Sequence, residues 1–260
     1  MKIPAKNLVA ARLELHRAAQ IAADVGRTLC PAQPDDSHTN LRFLPSRRAL
    51  AGPFTPGKRS VRALLEASPL RISVEFKNSG KVAVLPLIGL RSDEAWLWMD
   101  DVIGKPLSRF RFEIPDGPGG TTPFGGAPRK HFEELAWWYA HAHSLLSQTR
   151  RGLTNPSSVR CWPHHFDVAF LLPIPRGRGK TKGSIGVGLS PGDENYAEPY
   201  WYVTPWPHAD QPDLPKLSGG HWHRRDWLGA VLTGGSQVRA SRTFLKSAIA
   251  ACRQVIRSAP

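Results

Sequence analysis

Between Ser158 and Leu172 the chain reads Ser-Val-Arg-Cys-Trp-Pro-His-His-Phe-Asp-Val-Ala-Phe-Leu-Leu, a β-rich apolar run that carries His164, His165 and Asp167. A run of this composition must bury at least one face in a sheet. Imidazoles and carboxylates placed there need partners, hydrogen bonds or a metal. Side chains two apart share a strand face, so a single strand would align His164, Phe166, Val168 and Phe170 in one row and His165, Asp167, Ala169 and Leu171 in the other. The second row is small and polar and is the one expected to line a cavity. There His165 and Asp167 would serve as a ligand pair, or as a base with its orienting carboxylate. The alternative is that both only cap the strand entrance beneath Pro163.

The rest of the chain supplies elements to pack around this run. Leu8, Leu15, Ala18, Ala22, Val25 and Leu29 recur at helical spacing over residues 6–29, and Pro31 and Pro34 end the pattern. β-like runs follow at 41–44 and 49–54, then at 70–76 and 81–87 around Asn78-Ser-Gly80, a hairpin signal. Ser92 is the expected N-cap of a helix of about ten residues. Residues 104–130 hold five prolines and six glycines without periodicity and read as a linker or long loop. Helices are expected at 131–150 and 236–257, with strands at 158–172, 184–189, 199–204 and 227–233. The fold class is therefore α+β, a single domain over 1–260 with antiparallel sheets of about four strands per half under amphipathic helices. Its halves, about 1–103 and a site-bearing 131–260, read as similar helix–four-strand–helix units without a residue-by-residue repeat.

A chain of 260 residues, 41% hydrophobic, can bury a substantial core. No apolar run is long enough to span a bilayer and the first residues are no signal peptide, so a soluble protein is expected, with the cytoplasm as its address and no membrane partner. Cys30, Cys161 and Cys252 are odd in number and far apart, which supports neither a disulfide framework nor a cysteine zinc site. Cys161 and His164 would fall on opposite faces of a strand. The net charge of +14 invites a nucleic-acid partner, but the cations are spread along the chain rather than clustered. Specific nucleic-acid binding is not expected.

Further candidates lie in the C-terminal half. Gly219-Gly-His-Trp-His223 puts His221 and His223 on one face if extended, a pattern of zinc and iron sites built on sheets. The acidic residue of a cupin pattern is not in place. Residues 190–206 join a Pro-Gly-Asp turn, Glu194, Glu198 and an aromatic strand in which Tyr200 and Tyr202 face away from Trp201. Five of the nine tryptophans fall between 162 and 227. Arg178-Gly-Lys-Thr181 resembles the end of a phosphate-binding loop, but Ile174 stands where that pattern needs glycine, so a basic hairpin connection over 176–182 is expected. His141 and His143 point apart on a helix, and His38 with Asp36 is a weaker companion.

The strings Asp35-Asp-Ser-His-Thr39, Cys161-Trp-Pro-His-His-Phe-Asp167, Ile185-Gly-Val-Gly-Leu-Ser-Pro-Gly-Asp193, Glu198-Pro-Tyr-Trp-Tyr-Val203 and Gly229-Ala-Val-Leu232 resemble a bacterial family of unknown function. The resemblance implies a soluble bacterial protein and transfers no activity, cofactor or catalytic residue.

The leading expectation is an enzyme of small-molecule metabolism. His165, Asp167, Glu194 and Glu198 would carry the chemistry, Trp201, Tyr202, Trp206 and Trp222 would hold the ligand, and His165, Asp167, His221 and His223 would bind a divalent metal such as zinc, with hydrolysis by an activated water. At least three of His164, His165, Asp167, Glu194, Glu198, His221 and His223 are expected to converge on one cavity bordered by tryptophan. A non-catalytic protein that grips a sugar or aromatic ring is the alternative, and a basic nucleic-acid-associated protein the third reading.

Overall fold

The computed structural model describes residues 3–109, 114, 121–176, 180–208, 213–234 and 237–258. It is an α+β chain with four helices and two antiparallel sheets. The helices are α1 (Ala5–Leu29), α2 (Ser92–Ile103), α3 (Arg129–Arg150) and α4 (Val238–Ser258). The first sheet is a meander of β1 (Arg42–Leu44), β2 (Ala49–Ala51), β3 (Val61–Glu66), β4 (Arg71–Phe76) and β5 (Val82–Pro86). The second contains β6 (Arg160–Trp162), β7 (Asp167–Arg176), β8 (Lys180–Ser190), β9 (Tyr200–Trp206), β10 (His221–His223) and β11 (Gly229–Thr233), in the order β10-β11-β9-β8-β7-β6. The sheets thus have five and six strands, not four each. No helix among the described residues is long and apolar enough to cross a membrane.

The chain forms two compact units, one of Met1–Ala140 with Arg160–Phe166, the other of His141–Val159 with Asp167–Pro260. In the first, α1 is buried on nearly every side from Ala11 to Gly26, including Glu14, His16, Arg17, Gln20 and Asp24. Such groups are tolerated only with partners. The Glu14 carboxylate accepts the backbone N–H groups of Gly125 (2.5 Å) and Ala127 (2.9 Å). Arg17 donates to the Thr122 carbonyl at 2.7 Å and lies over the Phe124 ring. Trp96 donates its indole N–H to Asp24 at 2.9 Å. The proline- and glycine-rich stretch around 121–127 is therefore pinned to α1; residues 110–113 and 115–120 lie outside the described residues. Gly26 permits the close approach of α1 to the 3-10 turn Ser37–Thr39, since a Cβ there would sit 2.2 Å from the His38 carbonyl oxygen. At α2 the helix begins at Ser92 itself, one residue earlier than a cap at Ser92 would put it. Arg91 is the N-cap residue, and its N–H is satisfied by the Glu94 side chain at 2.8 Å.

In the second unit, the register of the sheet sorts the side chains. Val168, Phe170, Leu172, Ile185, Val187, Leu189, Trp201 and Val203 occupy one face and are buried, and α4 packs there through Phe244, Leu245, Ala248 and Cys252. Asp167, Ala169 and Leu171 on β7, Gly186, Gly188 and Ser190 on β8, Tyr200, Tyr202, Thr204 and Trp206 on β9, and His221 and His223 on β10 share the other face. β7 and β8 are antiparallel neighbours, as the hairpin reading of 176–182 requires, and residues 177–179 of their connection lie outside the described residues. Ser236, the expected start of the last helix, does so too.

Candidate functional site

The expected single strand from 158 to 172 is interrupted. Pro163 to Phe166 form a turn, with Phe166 at φ +55°, so His164 and His165 leave the alternation and belong to the first unit, while Asp167 opens β7. A residue other than glycine in the left-handed region marks a tight turn, which no periodicity of the sequence announces. Below the turn the alternation holds: Asp167, Ala169 and Leu171 do form the small, polar row.

That row faces tyrosines. Tyr202 on β9 reaches across β8 and donates its hydroxyl to the Asp167 carboxylate, and Gly188 lies beneath it. A Cβ at Gly188 would sit 2.6 Å from the Tyr202 ring and hydroxyl, so the tyrosine lies flat because glycine leaves the space. Tyr200 donates in the same manner to Asp193. Burial and the nearby Asp193 carboxylate push the phenols of both Tyr200 and Tyr196 up from their ordinary value, which keeps them protonated hydrogen-bond donors.

Asp193 also builds the turn that delivers Tyr196. Its Oδ1 accepts the backbone N–H groups of Asn195 (2.8 Å) and Tyr196 (3.0 Å), and its own N–H bonds the Tyr196 carbonyl. The Tyr196 hydroxyl then stands 2.9 Å from His221 Nε2 and 2.9 Å from His223 Nδ1. His223 Nε2 lies 2.5 Å from the Arg225 carbonyl oxygen, and its ring stacks on Trp227 at 4.3 Å. A carbonyl only accepts, so His223 carries its proton on Nε2 and, as a neutral ring, presents a bare Nδ1. Tyr196 must donate to that nitrogen, and its oxygen is left to accept from His221 Nε2–H. With both rings neutral one direction satisfies every bond: His221 to Tyr196 to His223 to the Arg225 carbonyl. His221 is exposed, and its Nδ1 is the nitrogen this chain leaves as an acceptor.

The other expected site residues are distributed as follows. Glu194 is exposed and Glu198 half-buried in the 191–199 loop, with Glu198 beside Gly234. Trp206 is on the polar face and 68% exposed. Trp201 is on the opposite face, 0% exposed and edge-on to His141 at 5.9 Å. Trp222 likewise alternates away from His221 and His223 and donates to the Pro215 carbonyl. The wall of the polar face is thus a row of tyrosines rather than Trp201 and Trp222, because alternation along β9 sends Trp201, and alternation along β10 sends Trp222, to the opposite face. Sequence reading singled out Tyr202 but missed Tyr196 and Asp193, whose roles come from a turn.

Asp167, His221 and His223 do lie on one sheet face, but they are linked through separate tyrosines. Among the described residues no three His, Cys, Asp or Glu side chains are grouped to hold a metal ion. Tyr196 occupies the facing nitrogens of His221 and His223, the two that a shared metal would need.

In the first unit, the His164 and His165 rings lie 4.3 Å apart and tilted by 56°, and His16 bonds the Pro163 carbonyl through Nε2 at 2.8 Å while stacking on Phe166. Burial, then the neighbouring His165, lowers the pKa of His164 to about 4. Burial likewise lowers that of His16 to about 4, against the Pro163 hydrogen bond that raises it. His16 and His164 are neutral packing groups near neutral pH.

Compared with known proteins, the chain matches no family model, no curated protein and no solved structure.

Proposed function

We propose that the chain is an enzyme acting on a small molecule by acid–base chemistry on the polar face of its C-terminal sheet, with His221 as the proton-transferring group. The observation that supports this most is the directional chain from His221 through Tyr196 and His223 to a backbone carbonyl. An exposed imidazole whose far nitrogen is fixed by an oriented partner has the construction of a general base. Hydrolysis is the reaction class that asks least of it. His221 Nδ1 takes a proton from water as the water oxygen bonds the electrophilic carbon of the substrate, and the resulting imidazolium returns that proton to the departing group. Tyr196, donating to His223, keeps its oxygen turned toward His221 Nε2–H throughout.

A second reading, a binding protein for a sugar or aromatic ring, is favoured by Trp206, exposed on the same face as Tyr202. Assay of wild type, His221→Gln and Tyr196→Phe on nitrophenyl esters, phosphates and glycosides separates the two. The enzyme reading expects turnover that falls by about 100-fold or more in His221→Gln and less in Tyr196→Phe. Equal turnover in wild type and His221→Gln would refute the role given to His221. Saturable sugar binding without turnover would favour the second reading.

A further inference from the structure

α3 begins against its own dipole. Its first turn holds Arg129, Lys130 and His131 and no acidic residue, although the amino end of a helix carries partial positive charge and favours anions. Beside that turn, in the first unit, lies a cleft of about 760 Å³ bordered by Arg48, Lys130, His131 and Trp137. A volume of this order is that of a small-molecule site.

Three further observations make the cleft more than a helix end. His131 borders it with a side chain only 8% exposed, and its Nδ1 has no hydrogen-bond partner among the described residues. A buried imidazole left in that state is costly unless something binds it. Arg48, at the tip of the β1–β2 hairpin, is held at φ +48°, a strained conformation for a side chain of its size. Neither Arg48 nor Lys130 forms an ion pair among the described residues, whereas Arg129 is bound to Glu133 at 2.9 Å.

We propose that this cleft binds a small aromatic carboxylate, its acid group between Arg48, Lys130 and His131 at the amino end of α3 and its ring against Trp137. The charge of the ligand follows from the balance of the lining. Arg48 and Lys130 are the unpaired cations, while Glu133 and Glu134 also border the cleft, which suits a single negative charge better than a dianion. The ring follows from the apolar part of the lining: Trp137 is 39% exposed, and Ile3 and Pro4 stand on the same cleft. A bare inorganic ion would leave that surface wet. The site is separate from the His221 face and does not depend on the reaction proposed there.

The test is calorimetric titration of the full chain with benzoate, benzyl alcohol and inorganic phosphate in parallel. Benzoate is expected to bind saturably and at least tenfold tighter than either of the others. Arg48→Gln, Lys130→Gln and Trp137→Ala, all at exposed positions, are each expected to weaken it about tenfold with unchanged thermal unfolding; His131→Gln tests the buried imidazole. Benzyl alcohol binding as tightly as benzoate would overturn the charged half of the proposal. Phosphate binding as tightly as benzoate, or benzoate affinity unaffected by Arg48→Gln and Trp137→Ala, would overturn the site.

Discussion

At the scale of single residues, the polar face depends on what is missing as much as on what is present. Tyr202 can lie across β8 to reach Asp167 only because residue 188 has no side chain. Gly188→Ala places a methyl group 2.6 Å from the Tyr202 ring and 2.8 Å from the Ala169 Cβ, so the tyrosine must lift from the sheet. We expect that variant to lose about 1–3 kcal/mol, the cost of overpacking together with a buried carboxylate deprived of its donor. Chemical denaturation measures the loss, and a crystal structure would show Tyr202 displaced. A Gly188→Ala protein as stable as wild type would mean that the tyrosine does not rest on the glycine. By contrast, the glycine's part in the site is invisible in a strand pattern. Alternation places residue 188 on the same face as Asp167, but says nothing of a ring arriving from two strands away.

At the scale of elements, strands and helices with clear periodicity were legible in the chain and those decided by tertiary context were not. α1, α3, α4 and the hairpin around Asn78-Ser-Gly80 follow from spacing and turn residues. β3 does not: Val61-Arg-Ala-Leu-Leu-Glu66 is rich in helix formers and lacks alternation, because it is a central strand buried on both faces. The 158–172 run reads as one strand, because Pro163 alone does not specify a turn that brings Phe166 to positive φ. That turn separates His165 from Asp167. Reading β10 as extended placed His221 and His223 on one face, as the register has them, yet their partner Tyr196 comes from a loop that only Asp193 shapes. The polar stripe of α1 was also hidden, since Glu14, Arg17 and Asp24 look like a solvated helix face until their buried partners are seen.

At the scale of the whole molecule, two compact units share one chain, and the first carries a buried histidine that makes its stability depend on pH. His16 in the first unit has its pKa lowered from 6.5 to about 4 by burial. The unfolded chain therefore takes up the proton first as the pH falls, so the stability is complete above about 6.5 and is lost progressively toward pH 4. The shift corresponds to about 3 kcal/mol. His164, lowered in the same direction and more exposed, adds a smaller loss over the same window. His16→Gln keeps a donor for the Pro163 carbonyl and cannot titrate. Urea unfolding at pH 7.5 and 4.5 should show a drop in wild type that shrinks by about 2 kcal/mol in the variant; an equal drop in both would mean that His16 is not the buried neutral group described. The second unit carries the directional chain from His221 through Tyr196 to His223. Long-range ¹H–¹⁵N correlation spectra of the histidine rings, in wild type and Tyr196→Phe, test it most directly. The expected spectra show His223 protonated on Nε2 with a bare Nδ1, His221 protonated on Nε2, and a mixture of His221 tautomers once the phenol is removed. A wild-type His223 protonated on Nδ1 alone, or His221 spectra unchanged by Tyr196→Phe, would contradict it.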